Sequence, residues 1–314
     1  MPETNKPREH MHVSIKLTIL VLLLVSLYSL APNVSAEPVQ VQCGVRVVNI
    51  EKVDLAANTY RLDFYLWFSW DPGTLTMKQV QDFEFLNGVP SKDIVYSTEE
   101  EGFLQYRVRG DFLKTFDFSR YPFEVHDLSV TIEHKNLNST ALVYVVDPDS
   151  NVDPGINVVG WNFLGFRDIV QEHKLIDNGF SNYVFELKVG RPFLSSIVKN
   201  VVPITVITVI SLLTFFIAPQ NFGQRISLAV STLMAASAFH ISLLNALPPT
   251  GYLTLADRLM LTVYIIFLYN LGTSVFIMRL VDSKKLEDAV KLNQKSAKML
   301  IGIIAFMLIL LVVF

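Results

Sequence analysis

The chain has 314 residues, 51% of them hydrophobic and 18% charged, with mean hydropathy +0.39. That is too apolar for an ordinary soluble protein of this length, so part of it is expected in lipid. A net charge of −3 and a pI near 6.1 leave no broad basic surface for nucleic acid. One cysteine, Cys43, excludes an intrachain disulfide, a Cys-based zinc cluster and a CxxC redox site.

Residues 1–36 place Lys6, Arg8 and Lys16 ahead of an apolar run from Leu17 to Leu30 and the small residues Val34, Ser35 and Ala36. This is the pattern of a signal peptide cleaved after Ala36, with an uncleaved N-terminal anchor as the alternative; in both cases the chain beyond Ala36 is exported. Residues 37–191 show short alternating or β-branched runs, clearest at 45–50, 60–70, 103–109, 128–133, 142–146 and 183–189. Turn residues divide them at Asp71-Pro72-Gly73, Asn87-Gly88, Asn136 to Ser139 and Asp177-Asn178-Gly179. An antiparallel, immunoglobulin-like β-sandwich is predicted. From Pro192 the composition turns apolar, and four spans are expected, at 193–218, 224–247, 254–280 and 296–314, each long enough to cross a bilayer core of about 30 Å. The link 281–295 carries Lys284, Lys285, Lys291 and Lys295, which puts it on the cytoplasmic side. Three spans then place the sandwich outside the cytoplasm, in agreement with export. The chain reads as a multi-pass protein of the cell (inner) membrane.

The second span carries Ser227, Ser231, Met234, Ala238, Ile241 and Asn245 at alternating spacings of four and three, and so on one helix face. Small and hydroxyl residues serve close helix packing, which is one reading. The other is that several such faces stand around an axis and enclose water, with a dewettable constriction at Met234 and Ile241.

Several strings resemble the pentameric ligand-gated ion channels. Asp117-Phe118-Ser119-Arg120-Tyr121-Pro122-Phe123-Glu124 is similar to the family's signature turn, without the two flanking half-cystines of eukaryotic members, as in prokaryotic ones. Arg191 stands at the family's pre-membrane arginine and Pro203 at the proline of its first span. Ser231-Thr232-Leu233, followed by Leu247-Pro248-Pro249-Thr250-Gly251-Tyr252-Leu253-Thr254, resembles the pore helix and the loop after it. The likeness covers about residues 37–314, and it departs in the sandwich, where the family's Trp-x-Pro string is missing.

The resemblance implies a homopentamer around a central pore, in which agonist binding between neighbouring sandwiches opens a pore lined by the second span. It implies coupling through Arg191, Glu124 and Asp54 onto Pro248 and Tyr252. It places a ligand site near Glu133, His134, Phe180 and Tyr183, with the hairpin 172–183 as its capping loop. The agonist is a small molecule, an amine by cation–π contact, or the proton, with His126, His134 and His173 as titrating groups. Gly223-Gln224-Arg225 marks the selectivity region and is closer to the cation class, so the permeant ions are expected to be monovalent cations.

Asp147, Asp149 and Asp153 alternate in a loop with Asn151, either a modulatory Ca²⁺ site or a solvated turn. No cofactor is expected. HExxH, GxSxG, P-loop and GxGxxG strings are absent, so an enzyme is not expected. The rival reading is a membrane-anchored solute-binding or sensor protein without a pore.

Overall fold

The computed structural model describes residues 37–175 and 178–313. The expected leader, 1–36, lies outside them, as does Asp177 of the expected 177–179 turn. The sheet-forming half contains β1 (Val39–Asp54), β2 (Thr59–Ser69), a short helix α1 (Met77–Val80), β3 (Phe83–Phe85), β4 (Ser91–Thr98) and β5 (Phe103–Leu113). It continues with β6 (Val125–His134), β7 (Leu142–Val146), β8 (Asn151–Val152), β9 (Asn162–Leu175) and β10 (Asn178–Gly190). One sheet runs β4-β5-β2-β1-β7, with β8 also on β1; the other runs β3-β6-β10-β9.

Alternation decides which faces meet. Val41, Cys43, Val45 and Val47 of β1 point inward with Leu62, Phe64, Leu66 and Phe68 of β2. From the other sheet come Leu128, Val130 and Ile132 of β6 and Phe185, Leu187 and Val189 of β10. Aromatic rings bridge the two layers: Phe68 lies 4.9 Å from Phe83, and Phe64 meets Phe85 edge-on at 6.3 Å. Gly44 admits the Trp67 ring, because a Cβ there would sit 2.4 Å from it.

Two long strands do not show in the sequence pattern. Strand β4 is exposed along nearly its whole length, and β9 turns Leu164, Phe166 and Ile169 outward. Both lie at sheet edges, where backbone pairing to β5 or β10 sets the register and no buried face imposes alternation.

The helical half begins with α2 (Phe193–Phe216). It contains a π-helical turn at Ile197–Val201 just before Pro203, whose missing N–H cannot close the regular ladder. Helix α3 (Phe222–Leu244) follows, then α4 (Leu255–Asp282) and α5 (Leu286–Val313). Thr254 and Asp257 form a capping box that starts α4. Among the described residues, α2, α3 and α4 are long and apolar enough to cross a membrane.

The expected link 281–295 is mostly helix. Only Ser283, Lys284 and Lys285 separate α4 from α5, with Lys284 in the left-handed region at φ 58°. Glu287 and Asp288 in the first turn of α5 suit its dipole, and Ala289, Ser296 and Leu300 give it a buried side, so Lys291 and Lys295 ride on a helix.

Polar contacts fix the bundle. The Asn270 amide donates to the Ser211 carbonyl at 2.8 Å and to the Ser211 hydroxyl at 2.9 Å, tying α4 to α2. Asn293 of α5 donates to the Phe215 carbonyl at 2.8 Å.

Candidate functional site

The site is the junction where the β5–β6 turn meets the helices. Asp117 opens the turn by accepting from the Ser119 N–H at 2.9 Å and the Ser119 hydroxyl at 3.0 Å. The Ser119 N–H, the largest cause, holds its carboxyl below the usual range. Phe116, Phe118 and Tyr121 are buried and anchor the turn to the sandwich.

The turn in turn caps a helix. The first N–H groups of α4 have no partner inside it. Leu255 donates to the Ser119 carbonyl at 2.9 Å and Ala256 to the Tyr121 carbonyl at 3.1 Å. The Tyr252 hydroxyl accepts from the Phe118 N–H at 2.8 Å. Phe123 packs on Phe193 of α2 at 5.4 Å between ring centroids. Pro248 lines a cavity of about 450 Å³ that Tyr121 also faces. One eight-residue turn therefore touches α2, α4 and the α3–α4 loop.

Arg191, one residue past β10, holds the turn from behind. Its Nε donates to Glu124 Oε1 at 2.6 Å, and its N–H donates to the Glu124 carbonyl at 3.2 Å. The guanidinium lies 4.7 Å from the Trp161 ring centroid and 5.6 Å from that of Tyr121. Glu124 is 2% exposed, and its Oε2 has no hydrogen-bond partner among the described residues. Burial makes the pair sensitive: a carboxylate out of water depends on its one cation.

Asp54 does not join this cluster. It sits in the β1–β2 hairpin and accepts from Lys52 and, at 3.0 Å, from the Ala57 N–H. The Lys52 hydrogen bond lowers its pKa. The expectation of Asp54 beside Arg191 is corrected, because the local ammonium and turn N–H already satisfy it.

Trp161 and His126 complete the junction. Trp161 was not singled out in the sequence, although a tryptophan after Gly160 in a loop is a signal for a ring that packs. The His126 ring is 3% exposed and lies 4.9 Å from Phe116, 6.1 Å from Phe118 and 5.4 Å from Trp161. Burial, helped by the cations Lys114 and Arg191, pushes its pKa down to about 4 against Asp117 and Asp127.

The expected ligand residues are dispersed. Tyr183 is fully buried, with its hydroxyl 3.4 Å from the Ser150 hydroxyl, and is a core residue. His134 is 3% exposed: its Nδ1 accepts from the N–H groups of Asn136 and Leu137, and its Nε2 faces the Gln79 carbonyl at 2.8 Å. Both are removed from a ligand-facing role, since their polar atoms are spent inside the fold. Glu133 is buried and meets His173 Nδ1 at 2.7 Å, and Phe180 pairs with His173 across β9 and β10.

Of the two readings of the Asp147–Asp153 loop, the hydrogen bonds fit the solvated turn. Asp147 accepts from Trp67 Nε1 at 2.8 Å and from the Asp149 N–H at 2.9 Å, and Asp153 accepts from the Gly155 N–H at 2.9 Å and lies 3.6 Å from Arg46. Asp147 and Asp153 are engaged within the fold, and among the described residues no group of metal-ligating side chains converges.

These features agree with the comparisons. The family described as "Neurotransmitter-gated ion-channel transmembrane region" matches residues 200–308. A "Proton-gated ion channel" of Gloeobacter violaceus is 24% identical over 260 residues, covering 75% of this chain and 72% of its own. The chain belongs to the pentameric ligand-gated ion channels. "Gamma-aminobutyric acid receptor subunit beta-4" of Gallus gallus is 20% identical over 276 residues, 79% of this chain, and the match spans only 54% of that subunit. The protein is a ligand-gated ion channel subunit and not an enzyme.

In this channel subunit, α3 has two distinct sides. Ala229, Thr232, Ala236 and Leu243 are buried against neighbouring helices. Ser227, Ser231, Ala238 and Asn245 are exposed, as are Met234 at 68% and Ile241 at 59%. His240 lies on neither extreme: its Nδ1 is 3.1 Å from the Tyr264 hydroxyl of α4. At the foot, Gly223 and Gln224 are exposed, but Arg225 is fully buried. Its guanidinium donates to the Ile217 carbonyl and to Asn293 Oδ1, each at 2.8 Å. Arg225 is therefore withdrawn from the selectivity region, because a cation inside a helix bundle must find acceptors there.

The junction yields two expected outcomes. Arg191→Gln strands the Glu124 carboxylate and is expected to cost about 3 kcal/mol in urea unfolding followed by tryptophan emission, most of it restored by adding Glu124→Gln. Trp67, Trp70 and Trp161, the three tryptophans of the chain, all report on the sheets. For His126, the folded state binds its proton only near pH 4 while the unfolded chain binds it near 6.5. Stability should hold above pH 6.5 and decline as pH falls toward 4, by up to about 3 kcal/mol. His126→Phe should flatten that decline in melts at pH 7 and 4.5; an unchanged slope assigns it to other groups.

Proposed function

We propose that five copies of this chain surround a central pore lined by α3, that α5 is the fourth membrane span, and that the sandwich lies outside the cytoplasm. The observation that carries the reading is the stripe Ser227, Ser231, Met234, Ala238, Ile241 and Asn245. It is exposed in the single subunit while the opposite side of α3 is packed. Hydroxyls and an amide turned to lipid would lack partners, so copies of the stripe facing one another across water satisfy them. Met234 and Ile241 then form the apolar constriction that gates by dewetting.

The proton is the agonist best supported. Glu133 is already engaged by His173, which leaves that carboxylate closed to an amine, whereas the His173 ring that holds it is 42% exposed to solvent. The relative from Gloeobacter violaceus bears the name of a proton-gated channel. Monovalent cations are the proposed permeant ions. Arg225 faces away from the α3 stripe, and residues 37–191 hold 23 acidic against 14 basic side chains, a field that gathers cations above a pore.

Recording from the expressed chain during pH steps tests the whole reading. Acid is expected to evoke a current whose reversal potential in asymmetric NaCl follows sodium, and Met234→Ser should shift activation toward higher pH because a hydroxyl makes dewetting harder. Absence of acid-evoked current, with an amine active instead, transfers the agonist to the second class. Unaltered gating in Met234→Ser overturns the assigned stripe.

A further inference from the structure

Helix α2 does not begin as a regular helix. Between Ile197 and Val201 it widens into a π-turn, so that the Val202 N–H reaches back five residues to the Ile197 carbonyl. Such turns are rare and need contacts that hold them against the regular ladder. Asn200 lies inside this one and supplies such a contact. Its Nδ2 donates to the Ser196 carbonyl at 3.0 Å, the acceptor that the Asn200 main-chain N–H would take in an α-turn. Its Oδ1 accepts from the Tyr121 hydroxyl at 3.4 Å. Thr205 and Thr208, further along α2, spend their hydroxyls on the Val201 and Ile204 carbonyls of their own helix. Asn200 has one end on the helix and the other on the sandwich.

Tyr121 touches three parts of the junction. Its carbonyl accepts from Ala256 of α4, its ring lies 5.6 Å from the Arg191 guanidinium, and its hydroxyl reaches Asn200 of α2. We propose that Asn200 is a positioning residue that carries movement of the β5–β6 turn into the backbone of α2, its amide propping the π-turn open while the Tyr121 hydroxyl holds the amide in place. At 3.4 Å that hydroxyl contact is at the long end of a hydrogen bond, so a small shift of the turn releases it. The Ser196 carbonyl then loses a correctly aimed donor, and the π-turn closes toward the α form. Closing it shifts the two sides of the helix by one residue in register, about 100° of rotation. Ile197 and Val201 line a cavity of about 340 Å³, which gives the turn room to do so. The inference needs neither the agonist nor the pore-lining assignment, only the contacts of the junction.

Deuterium exchange of the full chain in lipid nanodiscs, resolved to single amides, tests it at the Val202 N–H. Asn200→Leu is expected to speed that exchange about fivefold, the effect of losing the support of one hydrogen bond. Tyr121→Phe should also speed it, and the double variant should exchange no faster than Asn200→Leu alone, because the hydroxyl acts through the amide. Thr208→Val, which removes a hydroxyl elsewhere on α2, should leave Val202 unchanged. Unaltered or slowed exchange in Asn200→Leu, no effect of Tyr121→Phe, additive acceleration in the double variant, or acceleration by Thr208→Val would each overturn the assignment. Should Asn200→Leu fail to fold, Asn200→Asp keeps an oxygen for Tyr121 and removes the donor to Ser196, and the same outcomes decide.

Discussion

Helix α4 starts with N–H groups that nothing in the helix can satisfy, and the β5–β6 turn offers the carbonyls of Ser119 and Tyr121 to two of them. Each such bond contributes only about 1 kcal/mol net, but leaving a buried donor unpaired costs more than that. The position of the turn and the position of the helix are therefore not independent. Whatever moves the sandwich by an ångström must carry α4 with it or break these bonds. Glu124 and Arg191 add the orientation: the end of β10 and the end of the turn are held to a single geometry by one buried contact under Trp161.

This junction is the route by which a ligand bound among the strands would act on the helices. A ligand shifts an equilibrium by its differential affinity for two arrangements, and the arrangements must differ at the junction for that energy to pass. The junction is built from backbone hydrogen bonds, which are directional, and from a buried ion pair, which tolerates little displacement. Packed aromatic rings around His126 close off water behind them. Such a contact changes by switching partners and does not stretch gradually.

How much of this was legible in the residues depended on the kind of constraint. Strands with one buried face carried it in their alternation, as β1, β2, β6 and β10 do, and the helices announced themselves by length and apolarity. The edge strands β4 and β9 have no such face and were invisible. The beginning of α5 was hidden because lysines resemble a solvated link, and only the spacing of Ala289, Ser296 and Leu300 betrays its buried side. At the junction, Glu124 and Arg191 were paired from the resemblance, while Asp54 was claimed instead by its own hairpin. Tyr183, His134 and Arg225 each went inward for one reason: a polar group on a residue with a long or bulky side chain finds acceptors in the interior that local pattern does not reveal. Trp161 was missed because its partners are distant in the chain.

The burial of Arg225 has a mechanical meaning. Its guanidinium ties the foot of α3 to the Ile217 carbonyl just past α2 and to Asn293 on α5, so that end of the helix is moored at two points of the bundle. Toward the other end, His240 meets the Tyr264 hydroxyl of α4, and the chain runs on through the loop to Tyr252. A rod fastened below and coupled above does not slide; it leans. Any displacement of α3 would therefore grow with distance from Arg225, and side chains near Asn245 would sweep a wider arc than Ser227.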